Sequence, residues 1–154
     1  MTHTNEREYK VFKIQDGTVI DHIPHWKALQ VIELLGLRQR VSLVTIGIGL
    51  NSDKMGKKDL LKIEGRELTE SELDRLALVA PDATINLIRG SVRVGKLNVK
   101  LPDQIDRLVR CSNAGCITRH ESVPTRFVTE SRAPLKLRCH YCSWVSEGED
   151  IELL

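Results

Sequence analysis

The sequence predicts an α+β fold in two domains, residues 1–100 and 101–154, and three observations predict it. Apolar positions in the first domain switch from alternation to helical spacing and back, in the order strand, helix, strand, strand, helix, strand. All four cysteines fall between Cys111 and Cys142. Between the two regions, Gly95-Lys96-Leu97 to Leu101-Pro102-Asp103 reads as a junction, because Pro102 cannot donate to a central strand ladder. The first region thus fits a ferredoxin-like βαββαβ sandwich, with both helices on one face of a sheet and the other face free for a partner. The second reads as a small all-β domain.

Each element has a local reason. Residues 1–10 are polar and read as a tail. Val11 to Ile14 and Thr18 to Ile23 are extended, separated by a turn at Asp16-Gly17 and closed by Pro24. Trp26, Leu29, Ile32 (or Val31) and Leu35 then recur at helical steps, with Gly36 as the stop. Val41 to Leu50 is a β-branched strand, Asn51 to Lys58 a polar turn, and Asp59 to Glu64 the returning strand. Thr69 and Glu72 form a T-x-x-E capping box ahead of Leu73, Leu76, Ala77 and Ala80, and Pro81 ends that helix. Ala83 to Arg89 is a strand, Gly90 a turn, and Ser91 to Val94 a hairpin return. Beyond the junction, Ile105 to Arg110 leads into the cysteines, Val123 to Thr129 and Leu135 to Arg138 are short strands, and Trp144-Val145 follows the last cysteine.

The cysteines are spaced Cys111-x4-Cys116 and Cys139-x2-Cys142, with twenty-two residues between the pairs. Each short spacer can fold into a turn that aims two thiolates at one metal, so the four suit a closed tetrahedral structural zinc site. Iron is the rival metal for four thiolates. Two disulfides are the covalent alternative; they call for an oxidising compartment, whereas Met1-Thr2-His3-Thr4-Asn5 begins no secretory signal, and the expected location is the cytoplasm. About fifty residues build a core with difficulty, and a metal supplies what is lacking.

Composition excludes some functions. The 154 residues are 41% hydrophobic, and no apolar run approaches the ~18 residues of a membrane span. Net charge is +2, and residues 101–154 hold seven basic and eight acidic side chains, which disfavours nucleic-acid binding through the metal domain. A zinc-ribbon nucleic-acid binder using Lys54, Lys57, Lys58 and Lys62 is the alternative reading, and an iron electron carrier a third. No nucleophile elbow or Walker loop is present, Gly47-x-Gly49 lies in a strand, and every cysteine is accounted for by the metal, so no active site is expected. A scattered polar set remains in the first domain: Asp21 and His22 at a strand end, Lys58 and Lys62 on one strand face, and Lys96 after the hairpin. Lysines there can hold phosphates as point charges. From spacing alone they read equally as solvated charges at a sheet edge.

Four stretches in register change this. Gly17-Thr18-Val19-Ile20-Asp21-His22-Ile23-Pro24, Met55-Gly56-Lys57-Lys58-Asp59-Leu60-Leu61-Lys62-Ile63-Glu64, Leu76-Ala77-Leu78 with Ala80-Pro81-x-Ala83-Thr84, and the cysteine spacing together resemble the regulatory chain family of aspartate carbamoyltransferase, from about Val11 to Cys142. The resemblance implies a non-catalytic subunit of pyrimidine biosynthesis. Its N-terminal domain would bind CTP as inhibitor and ATP as activator, and its C-terminal zinc domain would dock on a separate catalytic chain. It further implies a regulatory homodimer, formed through the free sheet face and edge strand, and an assembly of two catalytic trimers with three regulatory dimers, with no nucleic acid or membrane as partner. By position, Lys62 and Lys96 would meet the triphosphate, Asp21 the ribose side, and His22 and Lys58 stand beside them. Val11, Phe12, Ile14, Val19, Asn86 and Ile88 would line base and sugar, and Cys111, Cys116, Cys139 and Cys142 would hold zinc. Ser91, Phe12-Lys13 and Arg93 depart from the residues of better-known members beside the base.

Overall fold

The computed structural model describes residues 13–39 and 42–154. The chain divides into two compact units, one up to Lys100 and one from Leu101 to Leu154. It is a mixed α/β protein made mostly of strands, with the cysteines gathered in the second unit.

In the first unit, β1 (Gly17–Pro24), α1 (Ala28–Leu34), β2 (Val44–Ser52), β3 (Gly56–Glu64), α2 (Glu70–Val79), β4 (Thr84–Arg89) and β5 (Val92–Asn98) follow one another. The sheet order is β2-β3-β1-β4-β5, and every neighbouring pair is antiparallel. Alternation decides which face is buried. Thr18 and Ile20 of β1, Leu61 and Ile63 of β3 and Ile85 of β4 are enclosed, together with Ala28 and Val31 of α1 and Leu76 and Ala77 of α2. Helix α1 packs on α2 and β3. A buried isoleucine or leucine of this set stabilises the fold by roughly 1.5–3 kcal/mol.

Local chemistry fixes the ends. The capping box of α2 forms as the sequence predicts: the Glu72 N–H donates to Thr69 Oγ1 at 3.3 Å and the Thr69 N–H donates to Glu72 Oε2 at 2.9 Å. Arg66 donates to the other carboxylate oxygen of Glu72. Gly17 opens β1 at φ +142°, where a Cβ would lie 2.0 Å from the Ile63 carbonyl oxygen, so no side chain fits there. At the β4–β5 turn, Gly90 and Ser91 both take positive φ (58° and 63°), as a tight two-residue hairpin requires.

Three expectations are corrected in this unit. The buried face of α1 is Ala28, Val31 and, just past its end, Leu35, whereas Trp26 and Leu29 are 69% and 53% exposed. The reason is that the helix begins only at Ala28; Trp26 sits in a left-handed turn at φ 70° before it. The polar turn after β2 is shorter than expected, because pairing runs through Ser52 opposite Gly56. Strand β5 runs on to Asn98 through what reads as a junction, with Lys96 opposite Asn86 and Leu97 opposite Ile85.

The second unit contains β6 (Gln104–Asp106), β7 (Val109–Arg110), α3 (Ile117–His120), β8 (Arg126–Arg132), β9 (Leu135–Cys139), β10 (Val145–Glu147) and β11 (Glu152–Leu153). Four of the strands form a sheet in the order β10-β9-β8-β6, and β11 pairs with β7. Ile105, Val109, Phe127 and Leu137 fill a small core beside the cysteines. The unit is not all-β: α3 forms one turn directly after Cys116, whose extended backbone starts it.

Candidate metal centre and effector face

Strand ends and tight turns deliver the cysteines to one point. Cys111 follows β7, Cys116 precedes α3, Cys139 ends β9, and Cys142 lies in the turn before β10. Their four sulfur atoms lie within 4.8 Å of one another, with Cys111 Sγ to Cys142 Sγ at 3.6 Å and Cys116 Sγ to Cys139 Sγ at 3.8 Å. A tetrahedron with Zn–S bonds of about 2.3 Å has S–S edges of about 3.8 Å, so the donor set fits one zinc ion. All four are free cysteines, and these separations are far beyond the ~2.05 Å of a disulfide, so the disulfide alternative falls.

The surroundings favour thiolate ligands. Backbone groups of Asn113, Tyr141, Cys142 and Trp144 hydrogen-bond to the sulfurs, and Thr118 Oγ1 donates to Cys116 Sγ at 3.2 Å. Without a metal, burial pushes the Cys111 and Cys139 thiols up. Burial also raises Cys142, but hydrogen bonds from the Trp144 backbone, the Asn113 side chain and the neighbouring thiols outweigh it and bring it down to about 7. A dication supplies the charge that holds all four as thiolates.

In the first unit, a lateral row crosses every strand on the face opposite the buried one. Thr45 lies across from Lys62, Lys62 from Val19, Val19 from Asn86, and Asn86 from Lys96. Asp21 and Ile88 flank this row by strand alternation. Asp21 pairs with Lys58 at 2.8 Å and accepts the His22 N–H at 2.6 Å; the His22 ring meets Thr84 Oγ1 at 3.3 Å. The Asn86 Oδ1 is buried with no hydrogen-bond partner among the described residues, an open acceptor in mid-row. Ile14 is buried just before β1. Val11 and Phe12 lie outside the described residues.

Sequence reasoning missed two contacts. The Asp21–Lys58 pair joins residues of strands that are not adjacent in the chain, and nothing local marks it. Asp59 is fully buried, accepting the Ala28 N–H at 3.2 Å and the Gly49 N–H at 3.1 Å, with His25 Nδ1 at 3.2 Å. Its signal was available: Asp59 takes the same inward alternation as Leu61 and Ile63, where a carboxylate must find donors.

Comparison with known proteins settles the family. Residues 9–100 match the allosteric domain of the aspartate carbamoyltransferase regulatory chain, and residues 103–152 match its metal binding domain. The chain belongs to the aspartate carbamoyltransferase regulatory chain family. Regulatory chains of Thermococcus gammatolerans (50% identical over 145 residues, 94% of this chain and 96% of that one) and Pyrococcus abyssi (49% over 146 residues, with the same shares) are similar to it. That of Methanocaldococcus jannaschii is 49% identical over 135 residues, covering 88% and 90%. Membership makes the chain a non-catalytic, allosteric subunit with a metal-binding domain and a catalytic-chain partner. The nucleic-acid reading gains no support from any of these matches. Among the described residues, no helix is long and apolar enough to cross a membrane.

Proposed function

We propose that the first domain, residues 1–100, binds CTP and ATP at the lateral row, and that the zinc domain, residues 101–154, docks on the catalytic chain. The observation that carries this is the register placing Lys62, Val19, Asn86 and Lys96 side by side, with an open acceptor at Asn86. Strands β3 and β5 stand three inter-strand spacings apart, about 14 Å. Two four-carbon lysine stems can converge across that gap on one polyphosphate. Asp21, His22, Lys58 and Ile88 flank the site, and Arg93, opposite Ile88, tunes base selectivity. CTP inhibits and ATP activates because each binds one quaternary state better than the other. A coupling of this kind is typically ~1–3 kcal/mol.

A ferredoxin-like reading of this domain is supported by the order β2-β3-β1-β4 with antiparallel neighbours throughout. Regulatory dimers bridge two catalytic trimers in the cytoplasm, three dimers to each assembly. Zinc is structural here, folding the docking surface. Titration of Lys96→Ala with both nucleotides tests the site: CTP and ATP weaken together, since they present the same phosphates, while zinc content stays at one per chain. Unchanged titrations would reject the pocket. A coloured, iron-containing preparation would reject zinc.

A further inference from the structure

The second unit carries an open cleft of about 600 Å³ whose walls include Arg107, Arg110 and Arg119 but no Asp or Glu side chain. The three guanidiniums are poorly neutralised. Among the described residues Arg110 pairs with Glu152, at 3.4 Å and with both partners exposed, a pairing worth little. Arg119 donates to the Cys111 carbonyl at 3.4 Å, which orients it without cancelling its charge. Asp106 hydrogen-bonds to Arg126 at 3.1 Å and meets the charge of Arg107 only through space, at an exposed position where such an attraction is weak. Arg107 is moreover held at φ 60°, in the left-handed region that a long side chain disfavours, with its N–H on the Thr125 carbonyl at 2.9 Å. Thr125, only 7% exposed, also lines the cleft, and its hydroxyl has no partner among the described residues.

We propose that this cleft seats an acidic segment of the catalytic chain, with a carboxylate taken by Arg107. The proposal rests on the docking role given above to the zinc domain and names the chemistry of the contact. Guanidinium forks match carboxylates in a bidentate manner. An open groove flanked by Val123, Pro124 and Leu154 suits a peptide segment rather than an enclosed small molecule. Nucleic acid is disfavoured because residues 101–154 carry more acidic than basic side chains.

The test is association of the full chain with the catalytic chain, measured by light scattering at low and high salt. Arg107→Asn removes the charge while asparagine accepts the left-handed backbone. Binding is expected to weaken roughly tenfold, with a shallower salt dependence, while bound zinc stays at one per chain. Arg110→Gln should act in the same direction. If both variants bind as the wild type does while Cys142→Ser does not bind, docking stands but the cleft is not the contact. If the wild-type chain fails to bind at any salt, the docking role falls and the cleft with it. Inorganic phosphate that shifts the arginine side-chain resonances without competing for the catalytic chain makes the cleft a small-anion site and overturns the proposal.

Discussion

The two units reach stability by opposite routes. The first encloses isoleucines, leucines and alanines from three strands and two helices, and its chain supplies its own core. The second has a few large apolar side chains and four thiols converging on one point. A sheet of alternating strands can bury one face without help, whereas about fifty residues in short strands cannot. Where the core runs out, coordination takes its place.

The largest expected effect separates the two routes. Stripping zinc with a strong chelator removes on the order of 10 kcal/mol of binding free energy from the second unit. Its protection from hydrogen exchange should collapse, while amides of Ile20, Leu61 and Ile85 stay protected; loss of protection in both units would mean that their stability is not divided in this way. The converse change is Ile20→Ala, at a fully buried position of the central strand. It should destabilise the first unit by about 2–5 kcal/mol in urea unfolding. Zinc retention, read by a colorimetric chelator, should not change.

These contrasts also show what a linear sequence reveals. Short-range features were legible: the Thr69–Glu72 box, the inward alternation of Leu61 and Ile63, and the cysteine spacing all concern residues a few positions apart. Features set by distant partners were not. Which face of α1 is buried depended on where the turn at Trp26 released the chain, and large side chains there misled because size is not burial. The reach of β5 depended on β4, and the Asp21–Lys58 pair on neighbouring strands being brought together. The one-turn helix after Cys116 is too short to leave a periodic signal.

A smaller effect distinguishes the thiols within the second unit. While the second unit is still folded after zinc leaves, Cys142, lowered to about 7, ionises first, whereas burial keeps Cys111 protonated. Iodoacetamide present as the chelator is added, so that it meets the unit before it opens, should therefore label Cys142 first, at a rate that rises as pH passes through about 7, with Cys111 modified last. Because the folded value lies below that of a free thiol, the stabilisation from this thiolate is present at high pH and lost as pH falls through about 7. Equal labelling of all four would contradict that ordering.

The metal ligands come from both ends of the second unit, and this has a consequence for biosynthesis. On the ribosome, Cys111 and Cys116 emerge well before Cys139 and Cys142, so the coordination sphere stays open until the second pair has left the exit tunnel. The first unit, complete by Asn98, has every strand of its sheet in hand by then and can fold while translation continues at about 5–20 residues per second. Maturation is therefore ordered by the chain itself: an early autonomous step, then a late one that waits on the cell's supply of metal.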